Sequence, residues 1–160
     1  MSIEIIREAA WPEILKLQSE VYLLVEPESP EVLKDKWNRT PKCCFIYRDC
    51  EELKGYLLAH SWNKEQPPKL FSTLPKETEG DILFLHDLAV ARSSFGQGIG
   101  SKLMKHLIGI ATGLGFKEIR LVSVQNSELF WQRQGFKPLS ENVCKSYGTD
   151  AQLMWRKLLA

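Results

Sequence analysis

No run in the 160-residue chain approaches the roughly 18 consecutive apolar residues that a membrane span needs. Met1-Ser2-Ile3-Glu4 carries no basic region followed by an apolar core, so no secretory leader is expected and the cytoplasm is the expected location. Charge of one sign is missing too. Lys and Arg number 21 against 20 Asp and Glu, a net charge of +1. Neither nucleic acid nor an anionic membrane finds a broad electrostatic handle there, so any anion site must be local. Cysteine is sparse: Cys43, Cys44, Cys50 and Cys144 form no C-x-x-C pair and have no structural-zinc spacing. Buried or idle thiols in a reducing compartment are expected. His60, His86 and His106 are scattered, without H-x-x-x-H or H-E-x-x-H, so no metal is expected.

What is present is an ordinary globular composition, 44% apolar and 26% charged, on a length that suits one domain over residues 1–160. Residues 3–7 alternate as a strand, and 11–23 carry Ile14, Leu15, Leu17, Val21 and Tyr22 at helical spacing. Ser29 and Pro30 offer an N-cap and a first-turn proline for a helix over 31–37. Residues 43–48 and 53–62 read as strands joined by the acidic turn Asp49-Cys50-Glu51-Glu52, an antiparallel hairpin. A long polar stretch, 63–80, follows. Then come a strongly apolar strand at 82–90, a glycine-rich turn, a helix at 98–114, a strand at 118–124, a short helix at 127–134 and strands at 136–139 and 151–158. The order β-α-α-β-β-β-α-β-α-β-β has antiparallel neighbours early and a parallel β-α-β crossover from 82 to 124, which gives a mixed sheet flanked by helices.

The turn Phe95-Gly96-Gln97-Gly98-Ile99-Gly100-Ser101 joins that apolar strand to a helix. A helix N-terminus exposes unpaired amides and a partial positive charge, and glycines let backbone approach a ligand closely. Phosphate, here a pyrophosphate, suits such a place. A P-loop would need Lys after its last glycine, but Gly100-Ser101-Lys102 has the wrong order. The spacing Gly96, Gly98, Gly100 is not that of a Rossmann turn, and too little chain follows. Taken alone, the turn leaves open a strand-to-helix connection without a ligand.

Residues 84–90, Phe-Leu-His-Asp-Leu-Ala-Val, with the turn and Gly100-Ser101-Lys102-Leu103-Met104 resemble the acetyl-CoA-binding motif of the GNAT N-acetyltransferase superfamily. Gly98 and Gly100 match its fixed positions, whereas Phe95 stands where arginine or glutamine is usual. A second segment, Asn126 to Phe136 with Phe130-Trp131 and Gly135, resembles a second motif of the same family. The resemblance implies an α/β (α+β) fold with a mostly antiparallel sheet of six to seven strands and about four helices. It implies an enzyme that moves acetyl from acetyl-CoA to a primary amine of a small molecule or peptide. A non-catalytic acyl-CoA-binding or sensing domain of the same fold is the alternative. A homodimer stays open.

The resemblance also assigns roles. Leu88, Ala89 and Val90 would offer backbone to the pantetheine arm, and Phe95, Gly96, Gln97, Gly98, Ile99, Gly100 and Ser101 would hold the pyrophosphate. Asn126 would bond the pantetheine or phosphate, or serve only as a helix N-cap. A lysine-like amine is mostly protonated at neutral pH, so a base near the acceptor is needed. His86 is the candidate, since its strand is similar to that of serotonin N-acetyltransferases, where the matching histidine relays a proton. Alternation turns Asp87 away from His86 unless a bulge re-aims it, and Asp87 could bind a cationic acceptor. Trp131 occupies a position that is tyrosine in many members; an indole N–H can steady a thiolate but not protonate it. Tyr147 or Cys144 could then supply the proton. Tyr22, Glu26, Glu28 and Trp62 are the candidate acceptor contacts.

Overall fold

The structure, a computed structural model, describes residues 1–22, 26–124, 126–139, 143, 147, 148 and 150–159. In chain order its elements are β1 (Ser2–Ile5), α1 (Trp11–Val21), α2 (Pro30–Arg39), β2 (Phe45–Asp49), β3 (Glu52–Trp62), β4 (Ile82–Val90), α3 (Ile99–Gly113), β5 (Glu118–Ser123), α4 (Glu128–Arg133), β6 (Lys137–Pro138) and β7 (Gln152–Lys157). The described strands form one seven-stranded sheet in the order β1-β2-β3-β4-β5-β7-β6. Every neighbouring pair is antiparallel except β4 with β5, which α3 joins as a parallel crossover. This is the mixed architecture that the element order implied.

Local chemistry sets the ends of the elements. Ser29 Oγ accepts the Val32 amide at 3.3 Å, and Pro30 opens α2. The β2–β3 hairpin turns through Cys50 and Glu51, both at positive φ (52° and 65°), as a two-residue loop between right-twisted strands requires. The strand expected over 136–139 shortens to Lys137–Pro138, since proline cannot donate to a ladder.

Strand alternation divides the core. Phe45, Tyr47, Leu57, Ala59, Leu83 and Leu85 pack on one face with Ile99, Leu103, Met104, Leu107 and Ala111 of α3. Ile46, Tyr56, Leu58 and Ala89 pack on the other with Trp11, Ile14 and Leu17 of α1 and Leu33 of α2.

Two irregularities position the site. First, β4 and β5 pair only from Ile82–Leu85 against Glu118–Leu121, although β4 runs to Val90 and β5 to Ser123. Their far ends lie apart, and backbone groups on that edge of β4 lack a strand partner. Second, β3 and β4 change register: Leu58 faces Asp87 and Ala59 faces Leu85, so His86 is an extra residue. This bulge cancels the alternation and turns His86 and Asp87 to line one pocket together.

Candidate active site

A cleft of about 560 Å³ fills the gap between the diverging strands, within the size range of ligand sites. Leu85, Leu88 and Val90 of β4 form one wall, and Leu121, Val122 and Val124 the other. The glycine turn closes one end, and Phe130, Trp131 and Arg133 of α4 overhang it.

At the turn, Gly98 is the N-cap of α3 with φ 76°, and Gly96 has φ 84°. A Cβ on either would meet no protein atom within 4 Å. Glycine is therefore required there by backbone conformation and leaves the approach to the first-turn amides of α3 open. Gly100 differs, because a Cβ on it would lie 3.1 Å from the Phe130 ring, so it lets α4 come close. These features fit a pyrophosphate at a helix N-terminus.

The expected cofactor residues divide. Leu88, Val90, Phe95, Gly96, Gly98, Ile99, Gly100 and Ser101 line the cleft. Ala89 packs instead with the α1 face of the core, and Gln97 is exposed outside the lining. Asn126 also lies outside the cleft lining. Its backbone, at φ 59°, donates to Asp150 Oδ2 at 3.0 Å, and the N-cap of α4 is Ser127.

A second, smaller pocket of about 80 Å³ adjoins the cleft and is lined by Tyr22, Glu26, Glu28, Phe71, Tyr147 and neighbours. Tyr22, His86, Asp87, Val122 and Val124 belong to both hollows, so the two meet at the β4 bulge. Trp62 is elsewhere: its indole donates to Gln66 O at 2.8 Å and its ring packs with Leu74, Phe84 and Leu153.

The side chains at this junction are tightly bonded. Asp87 accepts from Tyr22 Oη at 2.5 Å and from Tyr56 Oη at 2.6 Å. Burial pushes the Asp87 carboxyl up despite those bonds, and burial with Asp87 pushes both phenols well above their ordinary range. Asp87 is thus held by two phenols where the two hollows meet. His86 Nε2 bonds Glu28 Oε1. Glu28 Oε2 accepts the Phe71 amide at 2.9 Å and lies 3.6 Å from Lys36 Nζ. Burial alone would push the Glu28 carboxyl up. The bond and charge of His86, then Lys36 and the Phe71 amide, outweigh it and bring the carboxyl down to about 2. An ionised Glu28 accepts, so His86 Nε2 donates, and a neutral ring carries its lone pair on Nδ1. That Nδ1 is buried with no hydrogen-bond partner among the described residues.

Trp131 lines the cleft, but its Nε1 donates to Ser127 Oγ at 3.2 Å. Tyr147 lines the smaller pocket and donates to Pro68 O. Cys144 lies outside the described residues. Burial pushes Cys43 and Cys44 up to about 12, which makes them inert at neutral pH. Among the described residues, no group of three His, Cys, Asp or Glu side chains could hold a metal, and no helix is long and apolar enough to cross a membrane.

Sequence reasoning missed Lys36, Tyr56, Phe130 and Arg133, and it named Glu28, which lines the smaller pocket, without its bond to His86. Lys36 had a visible signal. It follows Val32 by four residues and Leu33 by three, on the inward face of α2, where a charge is out of place. The profile of the acetyltransferase (GNAT) family matches residues 11–136, most of the chain. The chain belongs to the GNAT acetyltransferase family. Comparison with curated protein sequences gives no match. Among solved structures, GNAT folds superpose over nearly the whole length. Ard1 from Thermoplasma volcanium is 15% identical, with TM-score 0.77 over 99% of this chain and 98% of that one. Arabidopsis thaliana Naa50, in complex with the bisubstrate analogue CoA-Ac-MVNAL, is 16% identical, with TM-score 0.72 over 97% of each chain. The loading GNATL domain of CurA from Lyngbya majuscula is 9% identical, with TM-score 0.80 over 98% of this chain and 97% of that one. At these identities the likeness shows a shared fold.

Proposed function

We propose that this GNAT protein is an acetyl-CoA-dependent N-acetyltransferase that acetylates a primary amine of a small molecule or peptide. The observation that carries the reading is the junction of the cofactor-sized cleft and the smaller pocket at His86, whose Nε2 is already held by Glu28. Acetyl-CoA supplies an acetyl thioester. The turn at Gly96 to Ser101 would hold its pyrophosphate, and the open edge of β4 at Leu88 and Val90 its pantetheine arm. The Naa50 complex with an analogue joining CoA to a peptide supports an acceptor placed at the end of such a cleft.

The amine must shed a proton before it can attack. His86 Nδ1 carries the lone pair that takes it, and Glu28 stabilises the imidazolium that results, as a carboxylate does in other His–carboxylate pairs. The departing thiolate is a fair leaving group unaided, with a thiol pKa of about 8.5.

Acetyl-CoA-dependent thiol release should appear with at least one member of a panel of polyamines, arylalkylamines, amino acids and peptides. His86→Ala should then lower kcat/KM by about 10²- to 10⁴-fold. CoA binding without release for any amine would favour the second reading, a non-catalytic acyl-CoA-binding domain. The engagement of the Trp131 indole by Ser127 is the observation behind that reading, since the one donor at the usual tyrosine position is then turned from a departing thiolate.

A further inference from the structure

Beneath the acceptor pocket lies a charge that the proposed reaction does not require. The Lys36 side chain is completely buried, and its ammonium lies 3.6 Å from Glu28 Oε2 and 3.5 Å from Ser72 O. Glu28 in turn holds the Phe71 amide and His86 Nε2. One ammonium therefore sits behind both the partner of the base and the backbone of the loop that walls the pocket. A buried lysine loses hydration that two long contacts repay poorly, so a purely structural role would be better filled by an apolar side chain. Burial pulls the Lys36 ammonium down from its ordinary value and Glu28 opposes that shift.

We propose that Lys36 is a positioning residue for the amine acetylation put forward above: it fixes the Glu28 carboxylate between the 70–72 loop and His86, and its charge tempers the pull of Glu28 on the His86 proton. The inference rests on that reading of His86. The groups that face His86 are Glu28, Asp87, Tyr22, Glu26, Tyr147 and, one shell back, Lys36 and His60. Among them Lys36 is the fixed cation. Removing it leaves the negative field of Glu28 unopposed. The imidazolium is then favoured, and the base form of His86 appears only at higher pH.

The test uses Lys36→Met, near in shape and uncharged, with Lys36→Gln should the Met protein not fold, and Lys36→Arg to restore the charge. Two readouts are taken: the acid limb of kcat/KM and the NMR titration of the His86 ring in the free protein. Met or Gln should move both midpoints up by about one pH unit. Arg should return them toward the parent. In a Glu28→Gln background, Lys36→Met should move both by clearly less, because only the direct field of the ammonium on His86 is then left to lose. Unmoved midpoints in the Met and Gln proteins, or an equal shift in the Glu28→Gln background, would overturn the proposal. The ring titration is independent of turnover. A ring shift without any amine acetylation would sustain the Lys36–Glu28–His86 linkage and count against the proposed activity instead.

Discussion

Two buried ionisable side chains make the protein sensitive to acid, in pH windows that start apart and overlap between about 4.5 and 3. Glu28 is held at about 2 against an ordinary 4.5. Its carboxylate is favoured in the folded state, so the stability it contributes is complete above the ordinary value and is lost as pH falls toward 2. His60 behaves differently. Burial holds its ring neutral down to about 3, its Nδ1–H bonds Ser61 O at 2.8 Å, and its Nε2 has no partner among the described residues. Below about 6.5 the unfolded chain binds a proton there that the folded chain refuses, so stability falls from that pH down to about 3. Thermal unfolding at stepped pH separates the two. Glu28→Gln should flatten the loss below 4.5, and His60→Phe, which keeps the stacking on Phe84, should flatten the loss between 6.5 and 3. Parallel curves for parent and variant would refute the corresponding assignment. Glu28→Gln should also slow acetyl transfer, because an amide stabilises the imidazolium less than a carboxylate does.

The elements were largely legible in the sequence. Residues 82–90 are so strongly apolar that the expected strand and β4 coincide, and the helical period of Ile99, Leu103, Met104, Leu107 and Ala111 marks the face of α3 that is buried. The glycine turn was legible because helix termini and positive φ have few sequence solutions. The bulge at His86 was foreseen only as an exception to the alternation. A register change arises from pairing with β3, and nothing in the alternation of β4 itself announces it. For the same reason the bond between Glu28 and His86 was not foreseen: the two lie 58 residues apart in the chain. Gly98 gives the clearest test at this scale. Gly98→Val places a β-branched residue at φ 76°, which costs about 1–2 kcal/mol. Since nothing in the protein crowds the site, the fold should survive with a melting temperature lower by several degrees. Calorimetric CoA affinity should fall well beyond that modest strain, since the branch projects into the open approach to the α3 amides. Unchanged affinity would remove the turn from the phosphate site.

At the scale of the molecule, the sheet is completed out of chain order. β7 is the last of the described strands in sequence, yet it lies between β5 and β6 and pairs with β5 along all of Glu118–Ser123. Leu153 and Met154 on it are fully buried. A chain ending at Ala151 loses those contacts and exposes both β5 and β6 as unpaired edges. Size-exclusion chromatography should find it aggregated, and calorimetry should find no cooperative transition. A monomeric truncated protein that still melts cooperatively would contradict this.

The position of β7 also bears on how the protein is made. Synthesis runs from β1 toward β7, so both walls of the cleft precede β7 in the chain, and the outer edge of β5 stays bare until β7 is made. Up to that point the chain holds most residues of the cleft without the strand that finishes the sheet. A ligand or chaperone able to engage the first five strands would have its greatest effect in that interval.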